Sequence, residues 1–412
     1  RLKDYKLYPS ELGWHKDRIT KELDAIVLGM HAREDNPELL EAKKLNIKIF
    51  SYPEFIYEQS KLKTRVVIGG SHGKTTITSM ILHVMNFYEK DVDYMVGAQL
   101  EGFDVMVKLT EENDFIVLEG DEYLSSTIDK RPKFHLYKPN IALISGISWD
   151  HINVFPTYEI YKKQFEIFVE SIVEGGSITY NSDDIDTKEV VGNTNRSIRK
   201  FDYSLPDFNI RNGVTYLQTV EGELPLEIFG RHNLSNLMGA KWICQQMGVD
   251  EDDFFQAISC FKGASNRLEK LYSTNNSFIF KDFAHSPSKV KATVNAIKDQ
   301  FDEYKIIACF ELHTFSSLNS NFMNEYKDTL NNADIPIVYF SKKTLESKKM
   351  NNIEFSDIVK AFNNNGLIVF DDSSKFKDYL NSMNFNNSVL LMMSSGNFEN
   401  IDYNDLQKLL LN

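Results

Sequence analysis

A glycine-rich segment, GGSHGKTT at residues 69–76, has the residue types that bind the phosphates of a nucleotide. It follows an apolar stretch at residues 64–70, typical of a buried strand, and opens a helical pattern over residues 74–88. In that context backbone N–H groups can face phosphate oxygens, and the helix N-terminus adds partial positive charge. Lys74 would then reach the β- and γ-phosphates, and the Thr75 hydroxyl would ligate Mg²⁺.

The spacing of this segment is shorter than that of the general phosphate-binding loop, which has four residues between its glycines. The alternative is a glycine-rich turn between strand and helix with an incidental lysine. The residues predicted to surround the phosphates are Gly70, Ser71, His72, Gly73, Lys74, Thr75 and Thr76.

Polar residues also follow the next two apolar stretches. LEGDEY, residues 118–123, carries three carboxylates, and oxygen ligands at the carboxyl end of a parallel strand suit Mg²⁺. The spacing does not indicate which carboxylate binds the metal, and a solvated acidic turn is the alternative. The stretch at residues 141–146 leads into SWDH, where His151 alone would more often be a structural loop histidine. Its place at the same sheet edge favours a functional role.

Two further segments suit a nucleotide. In GRHNLSN, residues 230–236, Asn233 and Asn236 share one helix face, and amides can both donate to and accept from an adenine edge. Asn233 could equally be an ordinary helix N-cap. In GASNR, residues 263–267, the fork of Arg267 can clamp a phosphate, or the side chain can lie on the surface.

The segment KDFAHSPS, residues 281–288, ends another apolar stretch. Asp282 could accept from ribose hydroxyls, and His285 could face a reaction centre. The same segment predicts a strand-to-helix turn with Ser286 as N-cap and Pro287 at the first helical position, and both interpretations can hold together. ELHTFSS, residues 311–317, could read the charged end of a substrate or form a polar surface loop.

An α/β fold must position these groups, because strand and helix patterns alternate along most of the chain. Residues 1–62 contain a short strand–helix–strand pattern, with Asn36 and Pro37 starting its helix. Residues 63–271 hold the phosphate-binding segment and, at 175–228, shorter strands and turns. Residues 272–412 predict a second doubly wound sheet.

Composition excludes several classes of protein. The 412 residues carry a net charge of −13, which makes a poor non-specific nucleic-acid binder. Three widely spaced cysteines form no disulfide framework and no metal-ligand spacing, which fits the reducing cytoplasm. No apolar run approaches the roughly 18 residues of a membrane helix, and the opening RLKDYK is no signal peptide. The chain lacks a starting Met, so we expect a segment to be missing in front.

Taken together, five blocks in this order resemble the Mur ligase family, the ATP-dependent amide ligases of bacterial cell-wall synthesis. GGSHGKTT resembles the family's shortened phosphate loop, EGDEY its acidic motif, and DH its metal-binding histidine segment. GRHNLSN resembles its adenine segment, and DFAHSP its C-terminal motif. The resemblance implies a truncated N-terminal UDP-sugar-binding α/β domain, a central P-loop ATPase domain and a C-terminal Rossmann-like domain.

The resemblance also implies roles for individual residues and two cofactors, ATP and Mg²⁺. Mg²⁺ would be held by Thr75 and Glu119, and a second Mg²⁺ by His151. Asn233, Asn236 and Asp282 would hold the nucleoside, and Arg267 would contact phosphate. The residues implied in catalysis are Lys74, Glu119, His151, Arg267 and His285.

Within the family, the branch that acts on UDP-N-acetylmuramate fits best, because residues 27–53 resemble the second half of its UDP-binding domain. The amine substrate would be L-alanine or the tripeptide L-alanyl-γ-D-glutamyl-meso-diaminopimelate. Residues 122–134, with DKRPKF, favour the tripeptide and hence cell-wall recycling. We expect a monomer or weak homodimer with no nucleic-acid or membrane partner. A phosphotransferase or hydrolase that needs no amine and an inactive nucleotide-binding scaffold are the other classes.

Three departures from the family pattern carry expectations. Nothing resembling the N-terminal glycine-rich UDP loop precedes Arg1, so the UDP-binding residues cannot be fully assigned. Ser286 stands where the family commonly has a second histidine. Several relatives carry a carbamoylated lysine about fifteen residues after the metal-binding histidine, and here that position is Glu166. We hypothesise that Glu166 supplies its negative charge near the magnesium sites.

Overall fold

The computed structural model describes residues 11–100 and 103–410. Its first unit is a two-stranded parallel sheet, β1 (Ala25–Leu28) with β2 (Lys48–Ser51). Helix α1 (Pro37–Lys44) connects them and begins as expected, because the Asn36 side chain accepts from the Glu38 and Leu39 amides. Helix α2 (Tyr52–Ser60) then leads into the central sheet.

The central sheet has seven strands in the order β5-β4-β6-β3-β7-β8-β9, and all neighbours are parallel except β4 and β5. Its strands are β3 (Thr64–Gly69), β4 (Asp93–Met95), β5 (Val107–Lys108), β6 (Phe115–Glu119), β7 (Ile141–Ile144), β8 (Ser177–Asn181) and β9 (Arg199–Tyr203). Its helices are α3 (Lys74–Phe87), α4 (Tyr158–Glu170) and α5 (Ile185–Gly192). The inner strands β3, β6 and β7 are buried and apolar, as strands covered on both faces must be.

A small antiparallel sheet and two helices complete the middle of the chain. The sheet is formed by β10 (Phe208–Arg211), β11 (Val214–Thr219) and β12 (Gly222–Leu226). Helices α6 (Arg231–Gln246) and α7 (Glu251–Ile258) pack on α3 through one apolar cluster. Helix α3 is therefore buried nearly all round, which fixes the direction of its N-terminus.

The C-terminal sheet has six strands in the order β13-β14-β18-β15-β16-β17. They are β13 (Glu269–Ser273), β14 (Ser277–Asp282), β15 (Lys305–Leu312), β16 (Ile335–Phe340), β17 (Ile368–Phe370) and β18 (Ser388–Met393). Its helices are α8 (Pro287–Gln300), α9 (Ser320–Met323), α10 (Lys342–Ser347), α11 (Phe355–Phe362), α12 (Ser373–Asn381) and α13 (Tyr403–Leu406).

The expected α/β architecture is confirmed. The strands that were predicted to precede the motifs are present. The sequence did not predict β4, β5 or β13, which are short or lie at a sheet edge. Strand β13 pairs antiparallel with β14 and begins at Glu269, ahead of the boundary expected at residue 272. In the described part of the chain, no helix is both long and apolar enough to cross a membrane.

Candidate active site

The loops that follow β3, β6 and β7 meet at one edge of the central sheet. Backbone hydrogen bonds join them: the Gly120 amide donates to the Ile68 carbonyl (2.8 Å), and the Ser71 amide donates to the Gly146 carbonyl (2.9 Å). A cavity of about 1160 Å³ opens here, and the first turn of α8 from the C-terminal sheet closes its far side. Parallel strands bring their carboxyl ends together at such an edge, so the three motifs share one site.

The glycine-rich segment has no room for side chains at two points. A Cβ on Gly70 would overlap the Ser145 side chain, and one on Gly73 would overlap the Asn236 amide. Both glycines have positive φ, +130° and +78°. Helix α3 starts at Lys74 with Gly73 as N-cap and no capping side chain, so its first amides are open to a ligand. An anion such as a nucleotide phosphate fits this cradle.

Lys74 and Glu122 form the buried charge pair of the site. The Lys74 ammonium donates to a Glu122 carboxylate oxygen and to the Gly70 carbonyl (2.6 Å), and Glu122 is 1% exposed. Although burial opposes it, the Lys74 cation holds the pKa of Glu122 well below its usual range. Burial lowers the pKa of Lys74, but the Glu122 and Asp121 carboxylates outweigh burial, and the net pKa is raised. Lys74 is therefore a fixed cation beside the phosphate cradle.

Two sets of possible metal ligands lie close to this pair, and Glu122 belongs to the second set. The Thr75 hydroxyl donates to Glu119 Oε1 (2.7 Å), and Glu119 Oε2 accepts from the Gly97 amide (2.8 Å). Possible ligand atoms of Asp121, Glu122 and His151 all lie within 4.8 Å of one another. Hydroxyl, carboxylate and imidazole donors with open space beside them fit divalent cations, and oxygen-rich sets favour Mg²⁺.

His151 has the backbone strain and charge environment of a functional residue. Its φ is +55°, and the Asp150 carboxylate accepts from its amide (2.7 Å). Its Nε2 lies 3.6 Å from Glu122 Oε1. Burial lowers the pKa of His151, but Glu122 and Asp150 outweigh it and the net pKa is raised. The predicted placement of His151 at the edge shared with the phosphate loop agrees with this geometry.

The C-terminal segment DFAHSPS contributes the opposite wall. His285 Nδ1 donates to the Phe283 carbonyl (2.9 Å), and its Nε2 lies 3.7 Å from Asp150 Oδ2. Burial and the Lys289 cation lower the pKa of His285 despite Asp150, so the imidazole is neutral near pH 7. Ser288 bonds to His72 Nε2 and to Ser148 Oγ (3.0 Å), which ties this wall to the phosphate loop.

The predicted nucleoside residues line the same cavity. Asn233 and Asn236 are each 8% exposed and sit in the first turns of α6, where Asn233 donates to the Phe229 carbonyl (2.9 Å). Gly230, not Asn233, is the N-cap, so the capping alternative is wrong. Asp282 is buried and accepts from the Thr293 hydroxyl. Arg267 packs its guanidinium 4.5 Å from the Phe283 ring, and burial lowers its pKa. It therefore faces the cavity and not the solvent.

The hypothesis for Glu166 is wrong. Glu166 does not line the cavity: its carboxylate binds Lys163 (2.6 Å) on the outer face of α4, while Tyr161, Phe165 and Phe168 face inward. The segment at residues 311–317, expected either to read the charged end of a substrate or to form a polar surface loop, does not line this cavity. Its first residue, Glu311, does not lie at the surface. It is 2% exposed, accepts from the Ser394 hydroxyl and the Phe398 amide (2.9 Å), and holds the loop after β18.

Sequence reasoning missed two residues that organise the site. Tyr161 donates to Glu122 (3.2 Å) and bonds to Ser71 (2.7 Å), but on an apolar helix face its sequence context indicates only core. Glu122 lies in the acidic motif, yet nothing in the spacing distinguishes it from Glu119 and Asp121. Only the fold shows that Glu122 faces both Lys74 and His151.

Comparison with known proteins now adds independent information. Residues 68–244 match the family model described as Mur ligase middle domain. This range contains the phosphate loop, the acidic motif, His151 and the adenine segment. A UDP-N-acetylmuramate–L-alanine ligase of Caldicellulosiruptor bescii is 33% identical over 321 residues, which span 74% of this chain and 68% of that protein.

Solved structures share the fold. A UDP-N-acetylmuramate–alanine ligase of Thermotoga maritima superposes with a TM-score of 0.68 at 19% identity, covering 94% of this chain and 85% of its own. A murein peptide ligase of Psychrobacter arcticus gives a TM-score of 0.63 at 19% identity, covering 97% and 88%. At this identity the two structures support the architecture and leave the substrate open.

Proposed function

The chain belongs to the Mur ligase family of ATP-dependent acid–amino-acid ligases, and we propose that it joins the lactyl carboxylate of UDP-N-acetylmuramate to the amine of L-alanine. The observation that carries the ATP-dependent chemistry is the Lys74–Glu122–His151 cluster beside the open amides of α3. The choice of L-alanine rests on the sequence relatives that share 29% and 33% identity with this chain. We place the reaction in the cytoplasm, which fits three free cysteines.

ATP would lie across the cavity, with its adenine near α6. Asn233 and Asn236 would face the base, and Asp282 the ribose. The cradle of Gly70 and Gly73 would hold the β- and γ-phosphates, with Lys74 as counter-charge. Arg267, whose guanidinium lies 4.5 Å from the centre of the Phe283 ring, would contact the phosphates from the C-terminal side.

The first step would transfer the γ-phosphoryl group to the lactyl carboxylate. One carboxylate oxygen forms a bond to phosphorus, the bond to the β–γ bridging oxygen breaks, and ADP leaves an acyl phosphate behind. The barrier is charge repulsion between a carboxylate and a polyanion, which fixed cations reduce. Mg²⁺, held by Thr75 and Glu119 and by His151 with Asp121 and Glu122, would supply further positive charge. Lys74 and Arg267 would orient the phosphates for in-line attack.

The second step would form the amide. The amine nitrogen attacks the acyl carbon, phosphate leaves, and one proton must depart from the nitrogen. His285 suits this role because Nδ1 donates to Phe283, which leaves Nε2 as an acceptor. After protonation, Nε2 would face the Asp150 carboxylate, whose pKa lies well below its usual range because His285, His151 and Lys289 outweigh its burial. The position of His285 in the cavity wall formed by the C-terminal segment supports binding of the amine on that side.

The tripeptide is the second candidate amine, favoured by residues 122–134. Three charged side chains of the DKRPKF part of that segment are engaged within the protein. Arg131 binds Asp129 and Glu54 (both 2.7 Å), and Lys133 binds Asp121 (2.5 Å). Because these ion pairs account for the segment's composition, L-alanine is the better-supported substrate.

The test is ADP release with ATP, Mg²⁺ and UDP-N-acetylmuramate, to which L-alanine or the tripeptide is added. Release with L-alanine only is expected. Release with the tripeptide only would assign the chain to recycling, and release without any amine would indicate a phosphotransferase or hydrolase. Lys163→Ala, an exposed lysine on α4, is the control variant for Lys74→Ala in this assay. The wild-type and control rates should agree.

A further inference from the structure

Lys289 lies in the first turn of α8 and lines the same cavity as Lys74 and Arg267. Within the residues that the structure describes, its ammonium makes no hydrogen bond and no close ion pair. None of the sequence motifs assigned it a role, and the proposed reaction steps do not use it as a ligand. An unpartnered lysine in a cavity needs a physical reason.

The position of Lys289 is electrostatically unfavourable in three ways. Burial and the nearby cations Lys74 and Arg267 lower its pKa to about 8, against the attraction of Asp150 and Glu122. A cation at a helix N-terminus also opposes the helix dipole. Without a ligand, this arrangement costs stability. An anion bound between the cations would offset these unfavourable contributions by its attraction to each cation.

A second polar group at the same turn is also unpartnered. Ser286 is the N-cap of α8, is 2% exposed and makes no capping hydrogen bond, and its Oγ has no partner among the described residues. The turn itself is firmly placed, since Ser288 bonds to both His72 and Ser148. The 14-residue helix α8 thus presents Lys289 to the cavity beside the phosphate loop, whereas the buried Ser286 is not part of the cavity lining.

We propose that Lys289 binds the phosphoryl group while it passes from ATP to the carboxylate. The proposal rests on the proposed ligase function and adds a third cation, from the C-terminal sheet, to Lys74 and Arg267. The ammonium would hydrogen-bond the oxygens of the transferred group and so stabilise the charge on both ATP and the acyl phosphate. No proton or electron moves in this contact. ADP lacks the transferred phosphoryl group, so ADP would not contact Lys289.

The test compares Lys289→Met, which removes the charge and keeps much of the side-chain volume, with Lys291→Met, an exposed lysine two residues along the same helix. For Lys289→Met we expect kcat/KM to fall about 100-fold, the lower end of the range seen when one transition-state donor is removed. Affinity for adenylyl imidodiphosphate, measured by titration calorimetry, should fall in parallel, while ADP affinity stays within about twofold. The thermal midpoint of the free protein should stay unchanged or rise, because an unpartnered cation has been removed.

Each other outcome overturns the assignment. Unchanged affinity for the triphosphate analogue would mean that Lys289 does not contact the transferred group. Equal losses for analogue and ADP with a lowered thermal midpoint would make Lys289 structural. The calorimetry does not require turnover. Failure of the wild type to release ADP would therefore contradict the ligase proposal. The calorimetry would still show whether Lys289 contacts the terminal phosphate.

Discussion

The carboxyl ends of the two large sheets both carry buried carboxylates, but the groups are used differently. At the central sheet, Glu122 faces Lys74 and His151 across an open cavity. At the C-terminal sheet, Glu311 is equally buried, and its Oε2 accepts from the Ser394 hydroxyl and the Phe398 amide. The first carboxylate holds charged side chains beside a ligand cavity, and the second holds a loop.

This difference teaches that burial of a charge does not by itself mark a reaction centre. A carboxylate satisfied by backbone and hydroxyl donors stabilises the fold around it. A carboxylate that pairs with a cation beside empty space keeps that cation available to a substrate. Four predictions test the contrast, in decreasing order of expected effect.

Lys74→Ala should reduce turnover by about 1000-fold or more, because it removes the cation next to the phosphates. The steady-state rate of ADP release measures this. The variant should remain folded with a lowered thermal midpoint, because the buried Glu122 loses its cation but keeps His151 and Tyr161. Near-normal turnover in this variant would refute the phosphate-loop assignment.

Glu311→Ala should mainly reduce stability and leave turnover nearly unchanged. It should lower the free energy of unfolding by about 3 kcal/mol, because the Phe398 amide and the Ser394 hydroxyl lose their acceptor. Turnover per folded molecule should stay within about twofold, a change of less than about 0.5 kcal/mol. Denaturant unfolding and activity are both measured, with the exposed Glu325→Ala as control. Loss of turnover in a stable Glu311→Ala variant would place Glu311 in the reaction.

His151→Ala should raise the Mg²⁺ concentration for half-maximal activity by about 10- to 100-fold, as expected on loss of one metal-site group. Glu166→Ala is the comparison, because Glu166 faces Lys163 on the outer face of α4. Its Mg²⁺ dependence should match the wild type. If the two variants shift equally, the cluster of Asp121, Glu122 and His151 is not the second metal site.

The smallest expected effect concerns pH. Burial, with Lys289 and Lys74, lowers the pKa of His72 from 6.5 to about 3. The unfolded chain therefore binds a proton below pH 6.5 that the folded chain does not, so stability falls as the pH falls from 6.5 toward 3. The contribution is at most about 1.4 kcal/mol per pH unit. His72→Gln should flatten the dependence of the thermal midpoint on pH between 6.5 and about 5, whereas the exposed His31→Gln should not. Parallel curves for all three proteins would contradict the burial of a neutral His72.

Much of this edge could be predicted from sequence because strand ends are local features. The apolar stretches before Gly70, Glu119 and Ser148 placed three motifs at one edge, since parallel strands end together. Helical periodicity could also have excluded Glu166 from the inner face of α4. Tyr161, Phe165 and Phe168 mark the inner face of α4, and Glu166 follows Phe165 by one residue, about 100° around the helix.

The other site features could not be predicted, because they depend on contacts between residues that are far apart in the sequence. Glu122 and Glu119 are indistinguishable by spacing, and only β6 pairing beside β3 turns one toward Lys74 and the other toward Thr75. Lys289 becomes notable only when α8 docks on the phosphate loop. Glu311 resembles a site residue in sequence because the donors that satisfy it come from residues more than eighty positions away.

The central claim is that this edge uses ATP to activate a carboxylate, and one labelling experiment tests it directly. UDP-N-acetylmuramate carrying ¹⁸O in its lactyl carboxylate is incubated with ATP, Mg²⁺ and L-alanine, and the released phosphate is analysed by mass spectrometry. An acyl phosphate requires that one labelled oxygen appear in the phosphate for each amide bond formed. Phosphate without the label, alongside amide formation or ATP hydrolysis, would contradict the account.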